Sequence, residues 1–258
     1  MTHGLFLSVF VAYVLILIGL SLWIARRQRS AEDFLLGNRS IPFFLSLGTT
    51  VATLVGTGSS IGAVGQGYAY GWRGAMYGVG GGIGLLLLSH FFADVRRHKF
   101  VTMSEELSFY YGANRWIKGS VAIFMLLASI GWLGAHILGG SYYLQYAGGL
   151  SPTTAKVLLA SGFGIYVIIG GYVAVVWTDT IQALVLFVGF VAMALLAYSK
   201  VSALEGAPVY DHHHLNFLRG DNLLPSLSLA VAIMVGVLGT PSYRQRIYSA
   251  DSAQTVRK

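Results

Sequence analysis

Long apolar runs constrain the fold of this chain more than any other feature. The run from Leu5 to Ile24 holds twenty residues without a charged side chain, and about 20 such residues cross a hydrocarbon core of roughly 30 Å. Only 10% of the chain is charged, whereas soluble domains carry about a quarter. A membrane barrel would need short alternating strands instead. We therefore predict an all-α polytopic membrane protein.

Seven segments have the length and hydropathy of transmembrane helices. They cover residues 4–25, 43–67, 74–93, 117–140, 154–176, 179–199 and 223–240, within a single transmembrane domain over 1–258. The first segment is not predicted to be a cleaved signal peptide, because it is too long and no basic region precedes it. In the third segment, Gly78 and Gly82 have the spacing of a close helix-packing motif.

Lysine and arginine are distributed unequally between the two sides of the predicted membrane. Thirteen fall on one side, at residues 26, 27, 29, 39, 96, 97, 99, 115, 118, 244, 246, 257 and 258, and four on the other, at 73, 156, 200 and 219. Because basic residues favour the cytoplasmic side, we predict the plasma (inner) membrane, with the N-terminus outside and the C-terminus cytoplasmic. No soluble basic face for nucleic acid is apparent, so the lipid bilayer is the expected partner.

Catalytic and metal signatures are missing or weak. The chain has no cysteine, and no metalloprotease helix, nucleophile elbow or dinucleotide fingerprint is found, so we do not expect an enzyme. Three adjacent histidines, His212 to His214, lie in a segment predicted to be an outside loop. Neighbours on an irregular loop do not define a coordination shell, so a solvated loop is favoured over a metal site.

The second segment is the least helical in composition. Of the eighteen residues from Thr50 to Gly67, five are glycine and five are serine or threonine. A break in a membrane helix exposes backbone groups, which lipid cannot satisfy, so it must face protein or a polar cavity. In secondary transporters such breaks bind ions and solutes. Small residues also let helices pack closely, and composition alone does not separate the two interpretations.

Four stretches resemble the sodium/solute symporter family, which includes the proline, pantothenate and glucose symporters. They are "AEDFLLGNRSIPFF", "VATLVGTGSSIGAVGQGYAYG", "GGYVAVVWTDTIQALVL" and "GTPSYRQRIYSADS". The resemblance implies a LeuT-type fold, in which an extra N-terminal helix precedes two inverted five-helix repeats. The predicted helices then supply the N-terminal helix, the first repeat and the first helix of the second repeat.

The resemblance also implies sites. The carbonyls of Ala52 and Val55 match the family's Na⁺ ligands, and Asp179 matches a carboxylate near the ion path. Asp179 could instead cap the sixth helix. Residues predicted to contact the solute are Gly56, Thr57, Gly58, Ser59 and Gln66. Weaker candidates are Tyr68 near the vestibule, His136 lining a path and Gln182 as a polar group at membrane depth, and Leu54 stands where some members carry a second-helix acid.

The function implied is Na⁺-coupled symport of a small organic solute or anion by alternating access. The family's Na⁺ site is completed by hydroxyls from a second-repeat helix that these 258 residues do not include. We therefore expect a fragment of a secondary active transporter that, alone, neither binds Na⁺ tightly nor transports. The alternatives are the membrane sensor module of a symporter-like signalling protein and a non-transporting membrane subunit. The solute and the oligomeric state stay open.

Overall fold

The computed structural model describes residues 2–202 and 220–258, and within those ranges it is helical, with no β-strand. The helices are α1 His3–Ala25, α2 Ala31–Leu36, α3 Phe43–Leu54, α4 Ala63–Tyr70, α5 Met76–Phe92, α6 Met103–Phe109, α7 Arg115–Gly148, α8 Pro152–Ser202, α9 Gly220–Gly239, α10 Pro241–Ser249 and α11 Ala253–Arg257. Short 3-10 turns connect several of them, and a π-helix, Gly58–Gly62, precedes α4. The all-helical prediction is confirmed.

Four helical stretches of the described chain are long and apolar enough to cross a membrane. They are His3–Ala25, Gly58–His98, Arg115–Gly148 and Pro152–Val201. A fifth span results if Leu223–Gly239 and Pro241–Ser249, which are bent by 48°, are counted together. The most apolar stretch of α7 has no buried residue, so its apolar side chains are exposed on the surface of this chain. How many segments cross the membrane stays a prediction.

The largest departure from the predicted boundaries is in α8. We predicted a break between residues 176 and 179, but the helix continues there and bends instead at Gly171, which has φ 59° and ψ −160°. Only glycine adopts this backbone region readily. At the bend, the Gln28 side-chain amide donates to the Gly170 carbonyl at 2.7 Å. Asp179 therefore lies inside a helix and does not cap one.

Small residues set the close helix contacts. A Cβ added to Gly48 would lie 2.5 Å from Thr180 Oγ1, so α3 packs directly on α8. Between α5 and α9 the contact glycines are Gly80 and Gly84, with Gly80 against the backbone of Ala230. The predicted pair, Gly78 and Gly82, has no atom within 4 Å of an added Cβ. The spacing of four was therefore right, but the register was two residues off.

Arg39 connects distant parts of the chain at one end of the bundle. Its guanidinium donates to the carbonyls of Lys99 (2.7 Å), Phe100 (2.9 Å) and Tyr248 (3.3 Å). Asn38 and Arg39 both have positive φ values, 55° and 56°, which turns the chain between α2 and α3. The "GNR" and "RIYS" motifs are thus in contact although more than 200 residues apart.

Candidate functional site

The helix break lies at Val55 and Gly56. α3 ends at Leu54, and Val55 has φ −91° and ψ 89°, outside the helical region. Helical structure returns as the π-helix Gly58–Gly62 and then as α4. The break predicted from the glycine and hydroxyl content is therefore present in the structure.

Serine side chains stabilise the break by binding the backbone of Gly56. The Gly56 N–H donates to Ser59 Oγ at 2.7 Å, and the hydroxyls of Ser59 and Ser60 donate to the Gly56 carbonyl at 3.0 and 2.8 Å. In a continuous α-helix the Gly56 N–H would bind the carbonyl of Ala52. Its bond to Ser59 leaves the Ala52 carbonyl without that donor, as a cation ligand requires.

His136 of α7 packs against the break. Its Nδ1 lies 3.1 Å from the hydroxyl of Thr57, and a Cβ on Gly56 would overlap its ring. One turn further along α7, a Cβ on Gly139 would lie 2.9 Å from Thr57 Cβ. Two glycines thus allow α7 to approach the unwound segment. His136 was only a weak candidate from the sequence, because nothing local indicates which helix faces the break.

Asp179 forms a buried polar cluster with Thr49 and Arg246, which we call the inner network. Thr49 Oγ1 donates to Asp179 Oδ2 at 2.6 Å, and an Arg246 nitrogen donates to Thr49 Oγ1 at 2.9 Å and lies 3.4 Å from the same carboxylate oxygen. The Asp179 and Arg246 side chains are 15% and 10% exposed. Thr49 is one turn before Ala52, so the network joins the broken helix to α8 and α10.

Arg246 is the residue that sequence reasoning missed. It was counted only as one of thirteen basic residues on the predicted cytoplasmic side. In the structure it is buried, donates to the Ser242 carbonyl at 2.9 Å and lies 5.8 Å from the centre of the Tyr172 ring. A signal was available, because Pro241 favours starting a new helix there, and α10 turns Arg246 inward.

The remaining predicted residues lie apart from these two clusters or at their edges. Gly58 has an open side, with nothing within 4 Å of an added Cβ. Gln66 has a buried side-chain oxygen without a hydrogen-bond partner, and Tyr68 is 96% exposed. Gln182 donates to the Tyr13 hydroxyl at 2.5 Å, which joins α8 to α1. The histidine run lies outside the described residues.

The chemistry of the site suits a hard cation and a small polar solute. It offers backbone carbonyls from the break, several hydroxyls, one imidazole and a buried carboxylate. Oxygen atoms of this kind replace the hydration shell of Na⁺ in unwound transporter helices. No group of three or more His, Asp or Glu side chains arranged for a transition metal is found in residues 2–202 and 220–258.

Comparison with known proteins agrees with this geometry. A family model described as "Sodium:solute symporter family" matches residues 34–258. A sodium/glucose cotransporter of Vibrio parahaemolyticus is 30% identical over 79% of this chain and 39% of its own length. A sodium/pantothenate symporter of Escherichia coli (strain K12) is 27% identical over 96% of this chain and 54% of its own. The chain thus spans about half the length, or less, of these relatives.

A solved structure shares the fold. It is described as a substrate-bound, outward-open state of a Na⁺-coupled sialic acid symporter, and it superposes with a TM-score of 0.79 at 19% identity. The match covers 96% of this chain and 54% of that one. The predicted LeuT-type fold is thereby confirmed for the part of the fold that this chain contains.

Proposed function

Because this chain belongs to the sodium:solute symporter family, we propose that it serves Na⁺-coupled symport of a small organic solute or anion by alternating access. The observation that carries the proposal is the break at Val55 and Gly56, which the Ser59 hydroxyl stabilises within a predicted transmembrane segment. A break of this kind is expected only where backbone groups meet a polar ligand or protein. We expect transport and not enzymatic chemistry.

In this proposal the carbonyls of Ala52 and Val55 bind Na⁺. The support is that the Gly56 N–H, the regular partner of the Ala52 carbonyl, donates to Ser59 instead, and that Val55 is turned out of the helix. Two carbonyls alone do not complete a coordination shell, so the proposal requires further oxygen ligands.

Asp179 is proposed to lie on the ion path, and Arg246 to control its charge. A buried carboxylate attracts a passing cation, but here the guanidinium of Arg246 lies 3.4 Å away and competes for the same oxygen. Moving α10 would remove this competing cation. In a membrane interior, ionisable groups of this kind commonly mark ion pathways.

The solute is proposed to bind at the break itself, beside Thr57, Gly58 and Ser59. Thr57 is oriented by His136 of α7 at 3.1 Å, and Gly58 leaves open space next to it. The relatives are named for glucose, pantothenate and sialic acid, all polyhydroxylated or amide-bearing molecules whose groups match hydroxyl and backbone partners. The orientation proposed is the N-terminus outside and the C-terminus in the cytoplasm.

Uptake of radiolabelled solutes by cells that produce a transporter containing these 258 residues together with a second five-helix repeat tests the proposal. We expect an imposed inward Na⁺ gradient to stimulate uptake of at least one solute from a panel of sugars and small carboxylates, and Asp179→Asn to reduce this stimulation at least tenfold. Asp94→Asn is the matched control, because Asp94 is 53% exposed and pairs with surface arginines. Equal stimulation in both variants would refute the assigned ion path.

A further inference from the structure

The turn between α4 and α5, at the end of the broken helix opposite the inner network, brings into contact two backbone segments that carry the polar residues Gln66 and Arg73. Gly71, with φ 63°, reverses the chain. Gly74 then packs on α4, where an added Cβ would lie 2.7 Å from the Gly67 nitrogen and 2.5 Å from the Ala63 carbonyl. Gln66 directly precedes Gly67, and Arg73 directly precedes Gly74.

Arg73 is a partly buried cation without a counter-ion in the part of the chain that the structure describes. Its Nε is buried and has no hydrogen-bond partner. Its guanidinium carbon lies 4.6 Å from the centre of the Tyr70 ring, which fixes the side chain without neutralising it. A buried charge normally has a paired partner, because desolvation is costly.

Gln66 has an unpaired acceptor, whereas Arg73 has an unpaired donor. The Gln66 side-chain oxygen is buried and accepts no hydrogen bond within residues 2–202 and 220–258. Buried polar atoms are nearly always paired, so one without a partner needs an explanation. Arg73 supplies donors in a planar fork suited to a carboxylate, and Gln66 supplies an acceptor for a neighbouring hydroxyl or amide N–H.

The other described cations on the predicted outer side differ from Arg73. Lys156 and Lys200 are exposed to solvent, where water satisfies their charge. The acidic side chains that the structure describes all lie elsewhere, at Glu32, Asp33, Asp94, Glu105, Glu106, Asp179 and Asp251. Among the outer-side cations that the structure describes, Arg73 is thus the one that is partly buried and has an unpaired donor.

We propose that Arg73 and Gln66 form an outer subsite for a solute that carries an oxyanion next to a hydroxyl or amide N–H, such as a small hydroxycarboxylate. The inference rests on the proposed symport function and narrows its solute class from any small organic molecule to an anion. A lipid phosphate has the same oxyanion chemistry, and the experiment separates the two sources.

The test measures how fast phenylglyoxal modifies Arg73, followed by mass spectrometry on the full chain in phosphatidylcholine nanodiscs. Gluconate is the probe, and glucose is its neutral counterpart. We expect gluconate to slow modification of Arg73 at least fivefold and glucose to change it less than twofold. Arg97, whose side chain is 73% exposed, is the internal control and should react equally under all conditions. Equal rates at Arg73 with gluconate and glucose would overturn the proposal.

Variants and lipids distinguish the remaining explanations. Gln66→Leu should reduce the protection by gluconate at least threefold, since it removes the acceptor and keeps the charge. If phosphatidylglycerol slows the modification of Arg73 and gluconate does not, Arg73 binds a lipid headgroup, and the proposal of a solute subsite is overturned. Faster reaction of Arg73 after Glu205→Gln or Asp211→Asn, in the absence of solute, would reveal an internal ion pair and overturn it as well.

Failure of this subsite and failure of symport are separable. Na⁺-driven uptake of neutral sugars alone would support the proposed function and contradict the anionic solute. Protection of Arg73 by gluconate without Na⁺-driven uptake of any solute would support the subsite and contradict symport.

Discussion

The hydroxyl of Thr49 donates a 2.6 Å hydrogen bond to the carboxylate of Asp179, and both residues contact the buried guanidinium of Arg246. The contact joins α3, which ends at the break, to α8 and α10. Any movement of α10 must therefore change the partners of the Asp179 carboxylate. Because Thr49 is one helical turn before Ala52, such a movement also acts on the segment proposed to bind Na⁺.

The inner network predicts strong coupling between Asp179 and Arg246. Asp179→Asn removes the counter-charge of a buried arginine, and breaking a buried pair in this way costs roughly 3–5 kcal/mol. The double variant Asp179→Asn/Arg246→Gln leaves no uncompensated charge, so we expect it to recover most of that loss. SDS titration of the purified protein and its variants measures their free energies of unfolding. A double variant that is as unstable as the sum of the single variants would show that the pair is not coupled.

Close packing of α7 on the break predicts different results at two glycines only six residues apart. Gly56→Ala places a methyl group on the His136 ring, and overpacking of this kind costs about 1–3 kcal/mol. Gly62→Ala meets no atom within 4 Å and is the matched control. We expect Na⁺-driven uptake to fall at least tenfold in the first variant and less than threefold in the second. Partial recovery in Gly56→Ala/His136→Ala would identify the ring as the cause.

The existence of this break was predictable from the sequence, but its surroundings were not. The glycines and hydroxyl side chains between Thr50 and Gly67 break the helix within the same segment, so the composition of that segment was sufficient to predict the break. Which helix faces Gly56, and which cation faces Asp179, depends on contacts between residues 79 and 67 positions apart. No short-range pattern encodes such pairs, so His136 was only a weak candidate and Arg246 was missed.

The bond between Ser59 and Gly56 predicts that a hydroxyl keeps the helix open. In Ser59→Ala the Gly56 N–H loses its acceptor and becomes free to bind the Ala52 carbonyl, which would then be less accessible to Na⁺. A hydrogen bond of this kind contributes about 1 kcal/mol, so we expect the Na⁺ concentration for half-maximal uptake to rise about fivefold.

Ser60→Ala is the control for this prediction, because it removes a hydroxyl that binds only carbonyls and leaves the Gly56 N–H paired. Its half-maximal Na⁺ concentration should change less than twofold. An equal rise in the two variants would contradict the role given to the Gly56 N–H.

The bend in α8 shows a second limit of sequence reasoning. The predicted boundary fell between residues 176 and 179, next to Asp179, and an acid within an apolar membrane helix is unfavourable unless it is paired. The structure keeps Asp179 inside α8 because Thr49 and Arg246 satisfy it. The bend occurs instead at Gly171, where positive φ is available at little cost. The "GGY" motif contains the glycine at which the helix bends. The sequence around Asp179 does not show that Thr49 and Arg246 pair with its carboxylate, and this pairing allows the helix to continue through residue 179.

The conformation of Gly171 predicts that adding a methyl group to α8 destabilises the protein at this position but not at Gly164. Gly171→Ala must hold φ near 59° and ψ near −160°, a backbone region essentially restricted to glycine, which costs about 1–3 kcal/mol. Its Cβ would also lie 2.6 Å from Phe34 Cδ2 and 2.8 Å from the Phe34 carbonyl. Gly164→Ala, in the same helix, meets nothing within 4 Å and should slightly stabilise the protein, since alanine favours helix. The thermal unfolding midpoint of Gly171→Ala should therefore fall below that of the unsubstituted protein. The midpoint of Gly164→Ala should not fall. Equal midpoints for the two variants would mean that α8 can straighten at Gly171 without losing stability.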